Sequence, residues 1–472
     1  IFDKVHLNPY FDKEANPNQN KEIQMQGKIS MDLVFCNSED KFSFDELVMK
    51  VADAFERKAI AELLELIVGL IQEVLLSRIF AGKTLCHECG DGKLVLNGGY
   101  NRKIRTSLGE LSMRFKRVKC RGCGAGHVPL QKLIRFRHHQ TKTNELEKLV
   151  VETISETSYR RGVAQLSRDG KISIPYRTAN DWILKTDCDE IQVSSEVIGS
   201  CPVEVMADGT KFKGEGVNGK ARQGDLKAVI GITHRGRVFP MGAWTGTPWS
   251  EINREWKENK ITLPNGSIII CDGEPGLADS FADYVDEQQR CQWHVKRDLY
   301  HAMHADGAKK EEIKPLQDAL AVAMAIELPA GDFQKVPEAD KDAIEERMEN
   351  TEQAMLKFVS YLEGKGYSTA ATYIDNARRS VFAYVRRWLK WGLISHKAST
   401  MVERVMRELA RRLKNIAYGW SDKGAKKVAG IILKRFTNAK EWEKEWMQRM
   451  NVIGNVMVSV GNYKCSSQNF AH

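Results

Sequence analysis

The chain has 472 residues, of which 42% are hydrophobic and 28% are charged, with a formal net charge of +9. This length exceeds what one hydrophobic core usually supports, so the sequence predicts a globular protein of several domains. No uninterrupted apolar run is long enough to cross a bilayer, because the nearest one, Ala61 to Phe80, contains Glu62, Glu65, Glu73 and Arg78. We therefore expect no membrane partner.

Residues 1–82 predict an N-terminal helical region. Between Phe42 and Phe80 the apolar residues recur at helical spacing, and Ser43 is suited to cap the first turn. This pattern indicates one or two amphipathic helices. Such helices can bind DNA ends, mediate self-association or pack against the following domain, and the sequence leaves these three roles open.

Two Cys-x-x-Cys pairs follow, separated by alternating, strand-like sequence. Their members are, in chain order, Cys86, Cys89, Cys120 and Cys123. A tetrahedral zinc ion needs four ligands, and a hairpin between the pairs would bring their thiolates together. We therefore expect a zinc ribbon over residues 83–130 with a structural Zn²⁺, because four thiolates leave no position open for catalysis. A redox pair is the competing interpretation, and His87 or His127 can replace one cysteine ligand.

Basic residues are dense from Lys93 to Lys142 and meet little acidic opposition beyond Glu110. Such a region attracts a polyanion, so we expect the ribbon to contact DNA. A solvated charged face is the alternative interpretation. The arginines that we select as candidate DNA contacts are Arg102, Arg105, Arg114 and Arg117.

Residues 140–190 predict a helix-turn-helix domain. Its helical stretches are Asn144 to Thr157, Ser158 to Leu166 and Tyr176 to Ile183. In a helix-turn-helix the second helix of the motif enters the major groove, while Trp182 and Ile183 would pack inward. A helical hairpin without a role in DNA binding is the alternative. The candidate contacts to base edges are Arg177, Thr178 and Asn180.

Two segments, Val203 to Thr210 and Ser267 to Glu274, each consist of an apolar, β-branched run followed by an Asp-Gly pair. A buried strand that ends in this way delivers a carboxylate to the edge of a sheet, so Asp208 and Asp272 can point into one place. Two further strand-like runs lie between them, Leu226 to Thr233 and Val238 to Trp244. Together these runs predict the opening meander of an RNase H-like α/β sheet.

The third candidate carboxylate is Glu403, which opens a helical run from Val402 to Tyr418. Because phosphoryl transfer with two metal ions usually takes three carboxylates, we expect Asp208, Asp272 and Glu403 to hold two Mg²⁺ (or Mn²⁺) ions. The long helical stretch between Asp272 and Glu403 predicts an α-helical insertion domain over residues 306–395. The acidic residues that could replace one of the three are Asp225, Glu251, Glu274 and Asp298.

The order of Asp208, Asp272, the segment Cys291-Gln-Trp-His294, a helical insertion and then Glu403-Arg404 resembles the DDE transposases of the Mutator-like and related bacterial insertion-sequence groups. The downstream Gly419-Trp-Ser-Asp-Lys-Gly424 also resembles the segment after the glutamate in those proteins. The resemblance extends from roughly Thr84 to the C-terminus. It implies a multidomain α+β protein whose RNase H-like core occupies residues 200–305 and 396–472.

The resemblance further implies a transposase that binds terminal inverted repeats and catalyses Mg²⁺-dependent strand cleavage and strand transfer. By this resemblance Asp208 would bridge the two ions, and Asp272 and Glu403 would each complete one. His294 would line the active site as a catalytic residue that touches DNA or a phosphate, and Arg404 would balance charge or contact phosphate. Such proteins generally act on double-stranded DNA as assemblies, so we expect a homodimer or a higher oligomer.

Two other functions are compatible with these residues. One is a domesticated, non-catalytic DNA-binding regulator, and the other is an RNase H-like nuclease without strand transfer. The acidic triad argues against the regulator, because a protein that only binds DNA has no need of clustered carboxylates near phosphates. The cysteines outside the two pairs are scattered singly, which favours a reducing cytoplasm, with the protein associated with the nucleoid.

Four shorter signals in the sequence either leave alternatives open or are discounted. Cys291 and His294 have the spacing of metal ligands, but only two ligands are visible, so we expect no zinc there. Trp293 either packs inward or stacks on an unpaired base. The basic and aromatic residues from Arg378 to Lys390 serve either a DNA strand or a packed helix. The run Gly214 to Gly219 matches the dinucleotide fingerprint by letter, yet a strand follows it, so a flexible hairpin loop is expected.

Overall fold

The computed structural model describes residues 59–82, 85–90, 93–132, 134, 136–137, 139–168, 172–186, 201–217, 220–414 and 419–451. The chain divides into two compact units, Ile1–Phe55 and Glu56–His472, and every described residue belongs to the second. The expectations for residues 1–58, including the Ser43 cap, lie outside the described residues. No described helix is both long enough and apolar enough to span a bilayer.

A long helix packs on a three-stranded antiparallel sheet at the start of the described chain. These elements are α1 (Ile60–Phe80), β1 (Leu94–Thr106), β2 (Gly109–Cys120) and β3 (Gly126–His127). The buried Gln72 side chain of α1 donates to the Arg114 carbonyl at 3.0 Å and accepts from the Lys116 N–H at 2.9 Å. Ala61 joins a core with Phe115 of β2. Of the three roles left open for this helix, packing against the following segment is therefore observed.

Three helices follow the ribbon-like sheet: α2 (Asn144–Glu156), α3 (Tyr159–Arg168) and α4 (Tyr176–Lys185). Thr143 caps α2, because its hydroxyl accepts from the Leu146 N–H at 3.2 Å. Gly162 lies so close to Ile154 that an added Cβ would stand 2.5 Å from it, which lets α3 cross tightly over α2. The helices match the predicted stretches to within a turn, and Trp182 is buried as expected.

The centre of the molecule is a five-stranded sheet with helices between its later strands. Its elements are β4 (Val203–Val217), β5 (Lys220–Thr233), β6 (Val238–Thr245), α5 (Trp249–Glu258), β7 (Ile268–Cys271), α6 (Leu277–Phe281) and β8 (Glu287–Arg290). The strand order is β6-β5-β4-β7-β8; β4 to β6 pair antiparallel, and β7 and β8 run parallel to β4. All four predicted strand-like runs are strands. Gly214 belongs to the β4–β5 hairpin, opposite Arg222, so the glycine-rich loop is shorter than predicted.

A group of helices is inserted after β8, and it has its own core. Its helices are α7 (Gln292–Ala305), α8 (Lys310–Met324), α9 (Glu338–Gly364), α10 (Ser368–Arg378) and α11 (Ala383–Trp391). Strand-like sequence extends from Gln289 to Trp293, but β8 ends at Arg290 and Trp293 lies on α7. Arg387 of α11 is buried and donates to the Gly266 carbonyl at 2.7 Å, which favours the packed-helix alternative for this basic segment.

The two faces of the central sheet are covered by different helices. The last three are α12 (Thr400–Leu413), α13 (Asp422–Thr437) and α14 (Ala439–Met450). Met206 and Phe212 share a core with α12, α13 and the α2–α4 helices, whereas Val205 and Ala207 face α5 and α6. Successive side chains of a strand point to opposite faces of the sheet. Whether a residue of β4 has an even or an odd number therefore decides which set of helices its side chain contacts.

Candidate active site

Asp208 lies within the central strand β4, which continues to Val217 and does not end at Asp208 as predicted, and Asp272 directly follows the neighbouring strand β7. Met206 of β4 pairs with Ile270 of the parallel strand β7, and each aspartate comes two positions later. Because side chains alternate along a strand, both aspartates lie on the face of Met206 and Ile270, which α12 covers. Both carboxylates are half-buried, so the site remains open to solvent on one side.

Glu403 reaches the same face from the first turn of α12. The Ser399 hydroxyl donates to Glu403 Oε1 at 3.1 Å and lies 3.4 Å from His294 Nδ1. Glu403 Oε1 and His294 Nδ1 are 3.8 Å apart. Sequence reasoning missed Ser399. Its signal is its position before a helix, where a serine ordinarily caps, yet here the hydroxyl makes no cap bond and serves Glu403.

The carboxylates influence one another electrostatically. Burial, and then the negative charge of Asp272, raise the pKa of Asp208 to about 7, and Glu403 adds to this rise. The Gly209 N–H, which donates to Asp208 Oδ1 at 2.7 Å, and the charge of His294 act in the opposite sense. Clustered carboxylates are costly to hold ionised unless a cation lies among them. Asp208, Asp272 and Glu403 are not among the groups of described residues whose ligand atoms all lie within 4.8 Å of one another, so they are electrostatic neighbours and not a preformed set of ligands for one ion.

The loop after β7 is built to fix Asp272. Asp272 Oδ1 accepts from the Glu274 N–H at 2.8 Å. Gly273 has a φ of +91°, and a Cβ there would fall 0.8 Å from Nη1 of Arg290. Only glycine permits both this conformation and the guanidinium lying against the loop. Arg290 also lies over the Tyr373 ring at 5.3 Å, so the insertion helices support the loop that carries the carboxylate.

The four alternative acidic residues have partners or positions of their own. Three are held in ion pairs: Asp225 with Lys227, Glu251 with Arg254, and Asp298 with Arg297. The fourth, Glu274, lies against Gly209, since a Cβ on Gly209 would stand 3.1 Å from Glu274 Oε2. Gly209 and Asp208 are consecutive in a strand, so their side-chain directions are opposite. Glu274 therefore approaches β4 from the face away from Asp208.

Cys291 and His294 lie at the start of α7, beside Glu403. Both are buried, and the Ser399 N–H donates to Cys291 Sγ at 3.3 Å. Burial opposes charge on both side chains, yet the hydrogen bond between them raises the pKa of His294 and lowers the pKa of Cys291. The hydrogen bond between the two side chains therefore favours the charged form of each, against the effect of burial.

Trp293 does not pack inward. Half of its surface (50%) is exposed, its ring meets that of His294 edge-on at 4.8 Å, and the Arg297 guanidinium lies 5.0 Å from the ring centre. An exposed aromatic ring next to a cation and the carboxylate cluster remains compatible with the second alternative, stacking on an unpaired base.

The four paired cysteines meet at the end of the ribbon-like sheet. Cys86 Sγ is 3.5 Å from Cys123 Sγ, Cys89 Sγ is 3.8 Å from Cys120 Sγ, and all four sulfurs lie within 4.8 Å of one another. Tetrahedral zinc thiolates have sulfurs about 3.8 Å apart, so this cluster can hold a zinc ion. The Cys123 N–H lowers the pKa of Cys120 to about 7, which favours the thiolate. His127 Nε2 lies 3.5 Å from Cys86 Sγ and so neighbours the cluster.

The arginines selected on the ribbon differ in exposure. Arg114 and Arg117 are exposed, whereas Arg102 and Arg105 are half-buried. Arg102 donates to two loop carbonyls at 2.9 Å, and Arg105 lies 5.9 Å from the Trp182 ring of α4. Arg102 and Arg105 therefore join the ribbon to the loop and helices that follow it, and Arg114 and Arg117 face solvent.

The residues selected on α4 lie in its first turns. Arg177 is exposed, and Thr178 and Asn180 are half-buried. The exposed ring of Tyr176 precedes them and carries the Arg160 guanidinium at 5.3 Å. Arg404 is also exposed, on the side of α12 away from the buried residues of that helix.

Comparisons with known proteins give little further information. No protein-family model matches the chain, and no curated protein matches it. Among solved structures, the chain is similar to the Drosophila P element transposase strand transfer complex, at 12% identity over 67% of this chain and 83% of that chain, with a TM-score of 0.24. At that TM-score the likeness carries no argument. The sheet, the carboxylate cluster and the cysteine cluster are the features from which function is inferred.

Proposed function

We propose that the chain is a DNA transposase that cleaves and joins DNA strands at a site formed by Asp208, Asp272 and Glu403. The proposal is supported by two observations: Asp208 and Asp272 belong to neighbouring parallel strands or their ends, and Asp272 and Glu403, both distant in sequence, raise the pKa of Asp208. A chain that only binds DNA gains nothing from such a cluster, because carboxylates repel phosphates.

The sheet supports an RNase H-like core. Its order β6-β5-β4-β7-β8, with an antiparallel meander followed by two strands parallel to β4, is the arrangement that this fold uses. Asp208 lies on the central strand, Asp272 follows the neighbouring strand, and Glu403 arrives on a helix after an insertion. This topology is consistent with the assignment of the three carboxylates as a DDE triad.

The chemistry assigned to the triad is in-line attack of water or a 3′-hydroxyl on a phosphodiester. Two bound Mg²⁺ ions supply stabilisation of the attacking and leaving oxygens in this reaction. Asp208, Asp272 and Glu403 would hold these ions; by the resemblance, Asp208 would contribute to both and the other two carboxylates to one each. His294 is positioned by Cys291 and Ser399 to present a positive charge to a phosphate oxygen.

DNA is proposed to bind along the ribbon and α4. The exposed Arg114 and Arg117 are suited to phosphate contacts, and Arg177 at the start of α4 to a base edge. Arg102 and Arg105 are assigned a structural role instead of DNA binding, because they connect the ribbon to the following loop and helices. Arg404 follows Glu403 on α12 and is exposed, so it is suited to contact a DNA phosphate.

We also propose a structural metal ion, a DNA ligand bound by an oligomer, and a location in the cell. The four clustered cysteines would hold a structural Zn²⁺ that fixes the end of the hairpin. The DNA would be the terminal inverted repeats of the element that encodes the chain, engaged by a homodimer or a higher oligomer. We propose that this takes place in the cytoplasm, at the nucleoid.

The test uses the genomic DNA that flanks the reading frame, supplied as end fragments with Mg²⁺. Denaturing gels separate three outcomes: cut and joined DNA supports the transposase, cut DNA alone supports a nuclease, and bound but intact DNA supports a regulator. Asp208→Ala should abolish cutting while a gel-shift assay detects nearly unchanged DNA binding. Asp225→Ala is the matched control, because Asp225 lies on the adjacent strand in an ion pair with Lys227 and should retain cutting.

A further inference from the structure

Cys291 and His294 acquire in the structure a third neighbour of metal-ligand type. The candidate ligand atoms of Cys291, His294 and Glu403 all lie within 4.8 Å of one another. His294 Nδ1 and Glu403 Oε1 are 3.8 Å apart. Around one tetrahedral zinc ion, ligand atoms stand about 3.3 to 3.8 Å from one another, so movements of about 1 Å would complete the geometry.

Burial and hydrogen bonds from neighbouring groups hold the candidate ligands in place. Cys291 is fully buried, and its own N–H donates to the Cys271 carbonyl at 2.8 Å. Ser399 donates hydrogen bonds to two of the three side chains, from its N–H to Cys291 Sγ and from its hydroxyl to Glu403 Oε1. Such supporting hydrogen bonds are what fixes ligands around protein-bound metals. Glu403 is only partly buried, so the fourth position opens toward solvent.

The donor set decides which cation is suited to the cluster. Sulfur and imidazole nitrogen favour zinc-class cations, whereas Mg²⁺ prefers oxygen ligands and an octahedral arrangement. We propose that Cys291, His294 and Glu403 form a second zinc-class site, distinct from the four-cysteine cluster, with three protein ligands and one open position. The sequence alone indicates only two of these ligands.

The position of Glu403 gives the site a consequence that rests on the function proposed above. Glu403 belongs both to the carboxylate cluster and to the Cys291–His294 group. A zinc-class ion bound to the latter takes Glu403 away from Asp208 and Asp272. Zn²⁺ should therefore inhibit Mg²⁺-dependent strand cleavage, and added Mg²⁺ should relieve the inhibition only in part, because it does not displace zinc from sulfur.

Binding is tested without reference to cleavage. The full chain, purified with Zn²⁺ in the four-cysteine cluster, is titrated with Co²⁺ while thiolate-to-cobalt charge-transfer and visible d–d absorption are recorded. We expect one further equivalent of Co²⁺ with a tetrahedral spectrum, and Zn²⁺ should displace it. Metal analysis after dialysis against Zn²⁺ should then give two zinc ions per chain.

Two variants and a control decide the outcome. Cys291→Ser should abolish the charge-transfer band, and His294→Ala should weaken binding at least tenfold while leaving the four-cysteine zinc in place. Cys271→Ser alters another buried cysteine outside the cluster and should keep the band. A folded wild-type chain that binds only one zinc ion, or a Cys291→Ser variant that keeps the second, overturns the inference. Normal zinc binding without any DNA cleavage would instead count against the proposed function alone.

Discussion

Because Asp208 lies among other carboxylates, its ionised side chain is expected to destabilise the folded protein. Its pKa rises from 3.8 to about 7 in the folded chain, chiefly through burial and then through Asp272. A raised folded-state pKa means that ionised Asp208 costs folding free energy, and the cost grows as pH rises from about 4 to about 7. At 1.36 kcal/mol per pKa unit, the full shift corresponds to at most about 4 kcal/mol at pH 8.

Asp208→Asn removes this charge and keeps an oxygen for the Gly209 N–H. Without Mg²⁺, the variant should therefore be more stable than the wild type by up to about 4 kcal/mol near pH 8, and by about 1 to 2 kcal/mol near pH 5. Urea unfolding followed by circular dichroism at the two pH values measures the difference. Adding Mg²⁺ should stabilise the wild type more than the variant, because ligands stabilise the state that binds them.

The matched control, Asp225→Asn, should change the stability of the protein in the opposite direction. The ion pair of Asp225 with Lys227 outweighs burial and lowers the pKa of Asp225, so this carboxylate stabilises the fold above its ordinary pKa. Asp225→Asn should therefore lose stability near pH 8. An Asp208→Asn variant that is no more stable than the wild type at that pH would refute the reasoning about the cluster.

Three further predictions concern other parts of the molecule. His396 contacts Glu204 Oε2 at 2.7 Å, and this hydrogen bond raises the pKa of His396. His396→Gln should therefore cost stability below about pH 6.5, and progressively less as pH rises through the raised pKa, which urea unfolding would measure. Cys123→Ser should lower the zinc content of the ribbon and weaken DNA binding in gel shifts, and unchanged zinc content would contradict the four-cysteine site. Arg177→Ala should weaken binding of end DNA about tenfold, measured by fluorescence anisotropy against scrambled DNA, where the change should be smaller.

Much of the fold can be predicted because its signals are local. The β-branched runs before Asp208 and Asp272 form neighbouring strands, since a hydrophobic pattern depends only on adjacent residues. Only the second run ends at its Asp-Gly pair, because β4 continues through Asp208 to Val217. The helix around Tyr176 and its inward-facing Trp182 follow in the same way from helical spacing. The Cys-x-x-Cys pairs likewise predict their own convergence, because a single hairpin connects them.

What the sequence does not predict depends on contacts between distant segments. Strand β8 ends before Trp293, because Gln292 starts a helix whose Cys291 N-terminus is anchored to β7. Arg387 looks like a surface residue in a basic run, yet the packing of α11 on the sheet buries it. Ser399 gains its role only because α12 brings it against α7. Local patterns contain no information about such pairings.

The most direct test of the central claim is diffraction from crystals of the protein soaked in Mn²⁺, with data collected at a wavelength at which manganese scatters anomalously. Two anomalous peaks are expected in contact with the carboxylates of Asp208, Asp272 and Glu403, and both should be lost in Asp208→Asn. Peaks confined to other acidic residues, or a Mn²⁺-saturated protein with no peak between these three carboxylates, would contradict the central claim.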